Sequence, residues 1–314
     1  MSDEQNSVKI QYRLHYDRDF NYKTSREFYM AIFAGGEGSR FYKGVPKWLL
    51  PLANKQVIEW TIGMAQSAPQ VLGKRYASCC VDLGTKIKGQ NLRSAFQTEL
   101  EFFIQNYNQL NEYERKQHVF DPFRKDFDIP PVIISYSNSK AACIKRIANK
   151  FYKKTRPYIC ALMGDSVYGL NTLEATLLDA QHKLITPADG ALISILKCRN
   201  PKPARTVNYA PAAEYAHKKK RLLETLGEGL LTEISGKEKK LNESPAIFVF
   251  NMRAVRGLSL REGGLTSLCE ALLENGKTVH VVKFDGSFYD FNYPEDYILA
   301  QEDITKDNGG PICR

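Results

Sequence analysis

The residues best suited to chemistry stand close together near the beginning of the chain. A glycine-rich turn at 35–38 follows an apolar run, and Arg40 and Lys47 come soon after it. Glycine tolerates positive φ and lets backbone N–H groups approach a ligand closely. Successive N–H groups in such a turn form a nest for anions, and a guanidinium and an ammonium add charge for phosphate oxygens. The pattern predicts a binding site for a nucleotide polyphosphate.

The element that must position these residues is the apolar run at 28–34, which predicts a buried strand. A glycine-rich turn after a strand also fits any dinucleotide-binding fold. That alternative calls for an acidic residue at the end of a clean second strand. No acidic residue ends such a strand at the expected distance from the glycines, and Asp82 is the nearest candidate. We therefore favour the polyphosphate site.

The glycine-rich turn with Arg40 and the segment around Lys47 together resemble the signature of the nucleotidyltransferases that make nucleotide sugars. The family pattern is Gly-Gly-x-Gly-x-Arg, a short gap and Pro-Lys-x-Leu-Leu-Pro. Here it reads GGEGSR at 35–40 and PKWLLP at 46–51. The resemblance implies that Arg40 holds the β- and γ-phosphates and that Lys47 neutralises the α-phosphate. It also implies nucleotide contacts from the turn, at Ala34, Gly35, Gly36 and Gly38.

Two aspartates stand where the chain leaves apolar strands. Asp165 follows Gly164 after the run at 158–163, and Asp290 precedes a Pro-Glu-Asp sequence at 294–296 that suits a helix start. Open α/β sheets bind ligands at the carboxyl ends of their strands, although an isolated turn aspartate more commonly forms an Asx-turn. Both positions resemble family motifs, strand-Gly-Asp and Asp-(x3)-Pro-Glu-Asp. The resemblance implies that Asp165 and Asp290 hold Mg²⁺ and that Gly164 contacts the nucleotide.

Two segments depart from the family pattern. Residues 140–142 read KAA where the family often has a Gly-Thr-Ala-like turn near the base, so the identity of the base stays open. Ser137, Asn138 and Ser139, just before this segment, are candidate base contacts. Lys237 stands in a blurred version of a Glu-Lys-Pro turn and is the candidate ligand of the sugar phosphate. An ordinary exposed turn lysine is the alternative for Lys237.

The alternation of apolar strands and amphipathic helices predicts the architecture. Strands are predicted at 28–34, 76–81, 132–136, 158–163, 190–197, 230–234, 246–250 and 279–284. Helices are predicted at 57–68, 91–107, 141–152 and 212–226, with one capped by Asn171 and one closed by Gly276, and 201–211 is predicted as a loop. This order predicts an α/β, doubly wound, Rossmann-like domain with a mixed sheet. It is the nucleotide-diphospho-sugar transferase type that the resemblance implies.

The predicted domain spans 28–302, between an N-terminal extension at 1–27 and a tail at 303–314. The extension carries an alternating apolar strand at 8–16. A strand with one polar face suits the edge of a sheet. It would either extend the sheet of the same domain or contact another subunit, so a homo-oligomer is possible.

Composition narrows the function classes. The net charge of +9 comes from 44 basic and 35 acidic residues and suits anionic substrates, but also nucleic acid. The dense basic run at 217–221 lacks interleaved aromatics, so we predict no nucleic-acid partner. The 7 cysteines include no C-x-x-C pair, which favours free thiols in a reducing compartment. With no secretory h-region and no apolar run of about 18 residues, we expect a cytoplasmic protein without a membrane partner.

Together these features predict a Mg²⁺-dependent nucleotidyltransferase that joins a nucleoside triphosphate to a sugar-1-phosphate and releases pyrophosphate. Positioning and charge neutralisation are the main needs of such chemistry. One alternative is transfer to a non-sugar acceptor, such as phosphocholine or a molybdopterin. Another is a catalytically silent, nucleotide-sensing subunit, which the retention of Arg40, Lys47, Asp165 and Asp290 disfavours. The sequence leaves the base, the acceptor and the oligomeric state open.

Overall fold

The structure is a computed structural model, and it describes residues 27–35, 46–53, 55–69, 78–86, 92–110, 114, 131–155, 157–198, 206–211, 225–235, 243–259, 262–291 and 293–306. Its strands are β1 (Phe28–Phe33), β2 (Pro51–Leu52), β3 (Lys55–Gln56), β4 (Ser78–Asp82), β5 (Ile133–Ser135), β6 (Tyr158–Met163), β7 (Ser166–Tyr168), β8 (Asp189–Cys198), β9 (Thr206–Pro211), β10 (Thr225–Ser235), β11 (Glu243–Asn251) and β12 (Thr278–Asp290). Its α-helices are α1 (Val57–Ser67), α2 (Leu92–Gln109), α3 (Lys140–Phe151), α4 (Leu170–Lys183), α5 (Met252–Arg256), α6 (Leu265–Glu274) and α7 (Pro294–Lys306). A short 3-10 helix, Lys47–Leu49, precedes β2.

Among the described residues, ten strands form one mixed sheet. Its order is β5-β4-β1-β6-β11-β8-β12-β10-β9, and β7 pairs with β12. The pairs β5–β4, β4–β1, β1–β6 and β8–β12 are parallel, whereas β11 is antiparallel to both β6 and β8. Strands β1, β4, β5, β6, β8 and β12 therefore run in the same direction. They end at one side of the sheet, which we call the carboxyl edge.

Both faces of the sheet are covered, as the doubly wound prediction requires. Along β1, Phe28, Met30 and Ile32 belong to a core with residues of α1, α2 and α4. The alternate residues of β1 belong to a second core with residues of α3, α5 and α6. The strand is buried on both sides, and this is why its sequence is a continuous apolar run rather than an alternating one. The predicted mixed α/β sheet is confirmed.

Several predicted bounds differ from the structure. Residues 206–211, predicted within a loop, form the strand β9, which pairs antiparallel with β10. Strand β10 begins at Thr225, where the predicted helix at 212–226 would still continue, and 212–224 lie outside the described residues. Helix α4 begins before Asn171, because the N–H groups of Thr172 and Leu173 already donate to the carbonyl of Gly169.

Strand β12 is longer than the predicted segment at 279–284. It continues to Asp290, with a shift in its pairing with β8 between Lys283 and Ser287. Such an irregularity allows β12 to continue through Gly286, a residue type that in the sequence suggests a turn. The extra length carries Asp290 to the carboxyl edge.

Two predicted helix ends are confirmed, one at each side of the sheet. Gly276 has φ +67 after α6, and its N–H donates to the carbonyl of Leu273, as expected for a glycine that follows a helix. Pro294 opens α7, and the Asp296 carboxylate accepts from the N–H of Tyr293 at 2.9 Å. The closing motif is therefore a strand followed by a capped helix start.

Three segments discussed from the sequence lie outside the described residues. They are the N-terminal strand at 8–16, the basic run at 217–221 and residues 307–314. Five cysteines are buried free thiols: Cys79, Cys80, Cys143, Cys160 and Cys269. None of the helices in the described ranges is long and apolar enough to cross a membrane.

Candidate functional site

Neighbouring strands hold one another's loops at the carboxyl edge. The N–H of Ala34 donates to the carbonyl of Asp82 at 2.9 Å, and the N–H of Gly164 donates to the carbonyl of Phe33 at 2.9 Å. The N–H of Leu83 likewise donates to the carbonyl of Ser135 at 2.9 Å. These bonds continue the sheet ladder beyond the strands themselves. The loops after β1, β4, β5 and β6 therefore form one continuous surface.

The first residue of the glycine-rich turn lies against the loop after β4. A Cβ at Gly35 would lie 2.7 Å from the backbone of Leu83 and Gly84, a distance that no real side chain tolerates. Gly84 itself has φ +73, which favours glycine. Gly35 therefore lies directly against the protein's own backbone, while its predicted approach to a ligand stays a prediction. The remaining residues of the motif, Gly36, Gly38 and Arg40, lie outside the described residues.

Lys47 enters the site from the short 3-10 helix. Pro46 is extended and leads into that helix, and the N–H of Leu50 bonds to the carbonyl of Lys47. The residue is only 8% exposed, and its Nζ lies 3.6 Å from an Oδ of Asp165. Two residues that the sequence analysis assigned to one site are therefore an ion pair.

The turn that carries Asp165 is fixed from several directions. The N–H of Met163 donates to the Tyr168 hydroxyl at 3.0 Å, and the Thr61 hydroxyl donates to the carbonyl of Ser166 at 3.2 Å. A Cβ at Gly164 would lie 3.1 Å from the Cβ of Ala34, so the turn packs closely on the end of β1. Asp165 projects from a rigid support.

Asp290 reaches the same region through the pairing of β12 with β7. In that antiparallel pair Asp290 lies opposite Ser166, the residue after Asp165. Burial raises the pKa of the Tyr168 hydroxyl, and the charges of Asp165 and Asp290 raise it further. Both carboxylates thus act on one buried phenol. The structure thus pairs Lys47 with Asp165 and places Asp290 opposite the residue after Asp165, while the roles assigned to these residues stay predictions.

These residues fit a metal that arrives with a nucleotide better than a permanently bound one. Within the described part of the chain, no group of three or more His, Cys, Asp or Glu residues can hold a metal ion. Mg²⁺ in nucleotide sites commonly uses one or two carboxylates and takes its other ligands from phosphate and water. Asp165, with 30% of its side chain exposed, is accessible to such an ion. The Mg²⁺ assignment remains a prediction.

The loop before α3 separates the three candidate base contacts. Ser139 caps the helix, with its hydroxyl accepting from the N–H of Ala142 at 3.1 Å. The Ser137 hydroxyl is buried and donates to the Asp82 carboxylate at 2.7 Å. Asn138 alone of these three is exposed. Lys237, the candidate for the sugar phosphate, lies outside the described residues.

The sequence analysis missed Tyr168 and Arg146. Tyr168 could be suspected from its place on a short apolar strand directly after the Gly-Asp turn. Arg146 has no such signal, because it lies within a basic helix and reaches a loop that precedes that helix. Asp82 was named only as the nearest candidate for the acidic residue of a dinucleotide-binding fold. It does end β4, but it is 2% exposed and its carboxylate is bound by protein groups.

Comparison with solved structures identifies relatives of this fold. A UDP-glucose pyrophosphorylase complexed with UDP-glucose matches 90% of this chain and 99% of its own, with a TM-score of 0.58 and 13% sequence identity. An inositol-1-phosphate CTP transferase from T. maritima matches 88% of this chain and 96% of its own, with a TM-score of 0.53 and 13% identity. A UTP-bound UGPase from Acinetobacter baumannii matches 91% and 96%, with a TM-score of 0.57 and 12% identity.

The sequence itself is far from known families. No protein-family model matches it, and no curated protein is significantly similar to it. At 12–13% identity the structural similarity concerns the fold. The chain has the Rossmann-like fold of the sugar-1-phosphate nucleotidyltransferases, and the resemblance stated from the sequence motifs is confirmed at that level.

Proposed function

We propose that this protein is a nucleotidyltransferase that condenses a nucleoside triphosphate with a sugar-1-phosphate. An oxygen of the sugar phosphate attacks the α-phosphorus in line, and a bond forms between them. The bond from the α-phosphorus to the bridging oxygen breaks, and pyrophosphate leaves with its electron pair. The attacking group is already an anion, so no nucleophilic side chain is needed.

The chain's own residues divide this work by charge. Lys47 offers an ammonium to the α-phosphate, where negative charge concentrates during the reaction. Arg40 holds the departing β- and γ-phosphates, and the turn at Gly35 gives backbone N–H groups to the nucleotide. Asp165 and Asp290 would hold Mg²⁺, which when bound neutralises phosphate charge and orients the reacting oxygens.

One observation carries the proposal more than any other. Lys47, Asp165 and Asp290 come from three distant parts of the sequence, yet Lys47 forms an ion pair with Asp165 and Asp290 lies opposite Ser166, the next residue, at the carboxyl edge. Open α/β sheets bind ligands at this edge. A silent sensing protein would have no need to keep a lysine and two aspartates together in this way.

The identity of the acceptor is a separate question. Among the similar structures, one is a UDP-glucose pyrophosphorylase and another is an inositol-1-phosphate CTP transferase. The second acts on a phosphate that is not attached to an aldose, so transfer to a non-sugar phosphate such as phosphocholine stays as the second candidate. Both candidates share the same chemistry at the α-phosphorus.

A grid of substrates tests the proposal. Each of the common ribonucleoside triphosphates and dTTP would be incubated with Mg²⁺ and one acceptor: glucose-, mannose- or N-acetylglucosamine-1-phosphate, inositol-1-phosphate or phosphocholine. Pyrophosphate release is measured, and the product mass identifies the pair. The control enzyme is Glu274→Gln, since Glu274 is an exposed carboxylate at the end of α6. Asp290→Asn is the inactive reference.

The outcomes separate the candidates. Release with a sugar-1-phosphate that depends on Asp290 supports the proposal. Release only with inositol phosphate or phosphocholine favours the second candidate. Nucleotide binding without release from any pair would refute transfer and favour a sensing role.

A further inference from the structure

A cluster of polar groups beneath the candidate nucleotide site has no part in the chemistry described above. The Asp82 carboxylate accepts from the hydroxyls of Ser135 at 3.0 Å and Ser137 at 2.7 Å. Nη2 of Arg146 lies 3.7 Å from the same carboxylate oxygen. It also donates to the hydroxyls of Ser135 and, at 2.7 Å, Ser137. Nη1 of Arg146 donates to the carbonyl of Tyr136 at 2.6 Å.

This cluster joins the loop after β4, which lies against Gly35, to the loop after β5. The carboxylate of Asp82 accepts from the N–H of Gly84, while its carbonyl accepts from Ala34 at 2.9 Å. The N–H of Ser137 donates to the carbonyl of Gly84 at 3.1 Å. Gly84 is therefore held from both sides. Because Gly35 lies flush against the backbone of Gly84, the position of Gly84 sets where the turn begins.

The burial of Asp82 explains why Arg146 is needed. A carboxylate that is 2% exposed loses most of its hydration, and an ionised buried group must be paired. Burial raises the pKa of Asp82, while the hydroxyls of Ser137 and Ser135, the charge of Arg146 and the Gly84 N–H counteract that rise. The guanidinium is a planar fork that can hold several acceptors at once, which an ammonium cannot do as well.

We propose that Asp82 and Arg146 are positioning residues for nucleotide binding. They act through Gly84 on Gly35, and so they set the backbone donors that receive the triphosphate. Neither side chain contacts the reacting atoms, because the carboxylate is buried and the guanidinium is directed at the loop after β5. The inference rests on the proposed function, since it assumes that the turn binds a nucleotide.

The test uses Arg146→Met, which keeps the aliphatic stem but removes the fork, and Arg146→Lys, which keeps the charge. The matched control is Lys150→Met, an exposed cation on the same helix. Affinity for the nucleoside triphosphate is measured by calorimetry without acceptor, and kcat and KM are measured for both substrates. Amide hydrogen exchange is followed in peptides covering 34–40 and 82–86.

The Kd and KM for the triphosphate should rise about tenfold in Arg146→Met, the size expected when a charged hydrogen-bond donor is lost. Arg146→Lys should recover part of this. The values of kcat and of KM for the acceptor should stay within about twofold, since the side chains proposed to act on the α-phosphate and the acceptor are unchanged. Exchange should accelerate in both peptides of Arg146→Met, and Lys150→Met should match the parent throughout.

Asp82→Asn provides an independent second variant. If Asp82 and Arg146 act as a pair, the double variant of Asp82→Asn with Arg146→Met should bind the triphosphate no more weakly than the weaker-binding of the two single variants. Arg146 is about half exposed, at 49% of its side chain, so its variants are expected to fold even if Asp82→Asn does not.

Unchanged triphosphate affinity in folded Arg146→Met would overturn this inference alone, while transfer by the parent would still support the proposed function. A parent that binds the triphosphate but does not transfer it would refute the proposed function. The affinity of Arg146→Met would then still decide whether Arg146 positions the nucleotide. A parent that binds no triphosphate would overturn both. A drop in kcat without a change in Kd would also count against a positioning role.

Discussion

The two edges of the sheet both contain an aspartate next to a basic side chain, but the pairs differ in kind. At the opposite side, which we call the amino edge, Asp189 begins β8 and lies 3.0 Å from Nε2 of His280. Its other oxygen accepts from the N–H and the hydroxyl of Thr186, each at 2.8 Å. At the carboxyl edge, Lys47 and Asp165 are 3.6 Å apart, an ion pair beyond hydrogen-bond distance.

The difference shows which polar groups serve the fold and which suit a ligand. Asp189 is bonded mainly to residues of its own turn, and burial, which would raise its pKa, is outweighed by His280 and Thr186, so its pKa is lowered. Asp165 and Asp290 come from separate strands and lie near each other, where like charges repel unless a cation lies between them. The amino edge closes a turn, whereas the carboxyl edge brings together a lysine and two aspartates, which suits the metal–nucleotide ligand that we propose.

Substitution of the two aspartates at the carboxyl edge is expected to have the largest effect on turnover, and so to distinguish the two edges most clearly. Asp165→Asn and Asp290→Asn keep the side-chain shape but weaken binding of Mg²⁺, so each should lower kcat by about a hundredfold or more. The double variant should be little worse than the worse single one, because residues that act as a unit are not additive. Chelation of Mg²⁺ should abolish turnover in the parent.

Steady-state pyrophosphate release over a range of Mg²⁺ concentrations measures these effects. The control Glu274→Gln should behave as the parent. Full Mg²⁺-dependent activity in Asp290→Asn would break the comparison, since Asp290 would then be no more functional than Asp189.

A slightly smaller effect is expected from the cations. Lys47→Ala and Arg40→Ala should each reduce turnover by roughly a hundredfold, the usual cost of losing one oriented donor to a developing charge. Lys47→Ala also leaves Asp165 without its basic neighbour, while the fold should persist. The checks are kcat and circular dichroism, with Lys154→Ala, an exposed lysine, as the matched control. Parent-like kinetics in both variants would remove the polyphosphate assignment.

The glycine-rich turn should respond more moderately. Gly35→Ala places a Cβ 2.7 Å from the backbone of Leu83 and Gly84, so the turn or the loop after β4 must move. We expect weaker triphosphate binding, by about tenfold, because a displaced turn misaligns backbone donors. Calorimetry with the triphosphate measures this. Unaltered affinity would mean that this turn does not form part of the nucleotide site.

The smallest effect on activity is expected at the amino edge. His280→Gln should leave kcat/KM unchanged and lower the free energy of unfolding by about 1 kcal/mol, the value of a typical hydrogen bond. The folded pKa of Asp189 lies below its ordinary 3.8. Its stabilisation is therefore present above that value and is lost as the pH falls through the folded pKa.

Removing His280 takes away one cause of the lowered pKa, so stability should fall less steeply in acid than it does in the parent. Urea unfolding at a series of pH values, followed by fluorescence, measures this slope. A large loss of kcat/KM in folded His280→Gln would show that the amino edge is not purely structural.

Much of this architecture follows from the sequence because local patterns determine it. The run at 158–163 is β6 with the predicted bounds, since a strand buried on both faces must be continuously apolar. The motif around Lys47 could be identified because its residues are close in sequence. The strand β9 escaped prediction because Pro211 and the polar residues before it resemble a loop.

The rest depends on contacts between distant segments. No local pattern reveals that Asp290 lies opposite Ser166, because the register of β7 and β12 is set by tertiary pairing. Arg146 likewise appears as one cation among several in a basic helix. Its role becomes visible only when α3 packs beside the loop after β5.

The pairing of β7 with β12 also has a consequence for how the protein matures. During synthesis, β1, β6 and the loops after them, which carry Gly35 and Asp165, leave the ribosome long before β12 does. Contacts of such large sequence separation form slowly, because a long loop must close first. A nascent or C-terminally truncated chain can thus have most of the sheet but only one of the two aspartates in place. Capacity to bind a metal–nucleotide complex should accordingly appear only at the end of folding, and it would report that the chain is complete through Asp290.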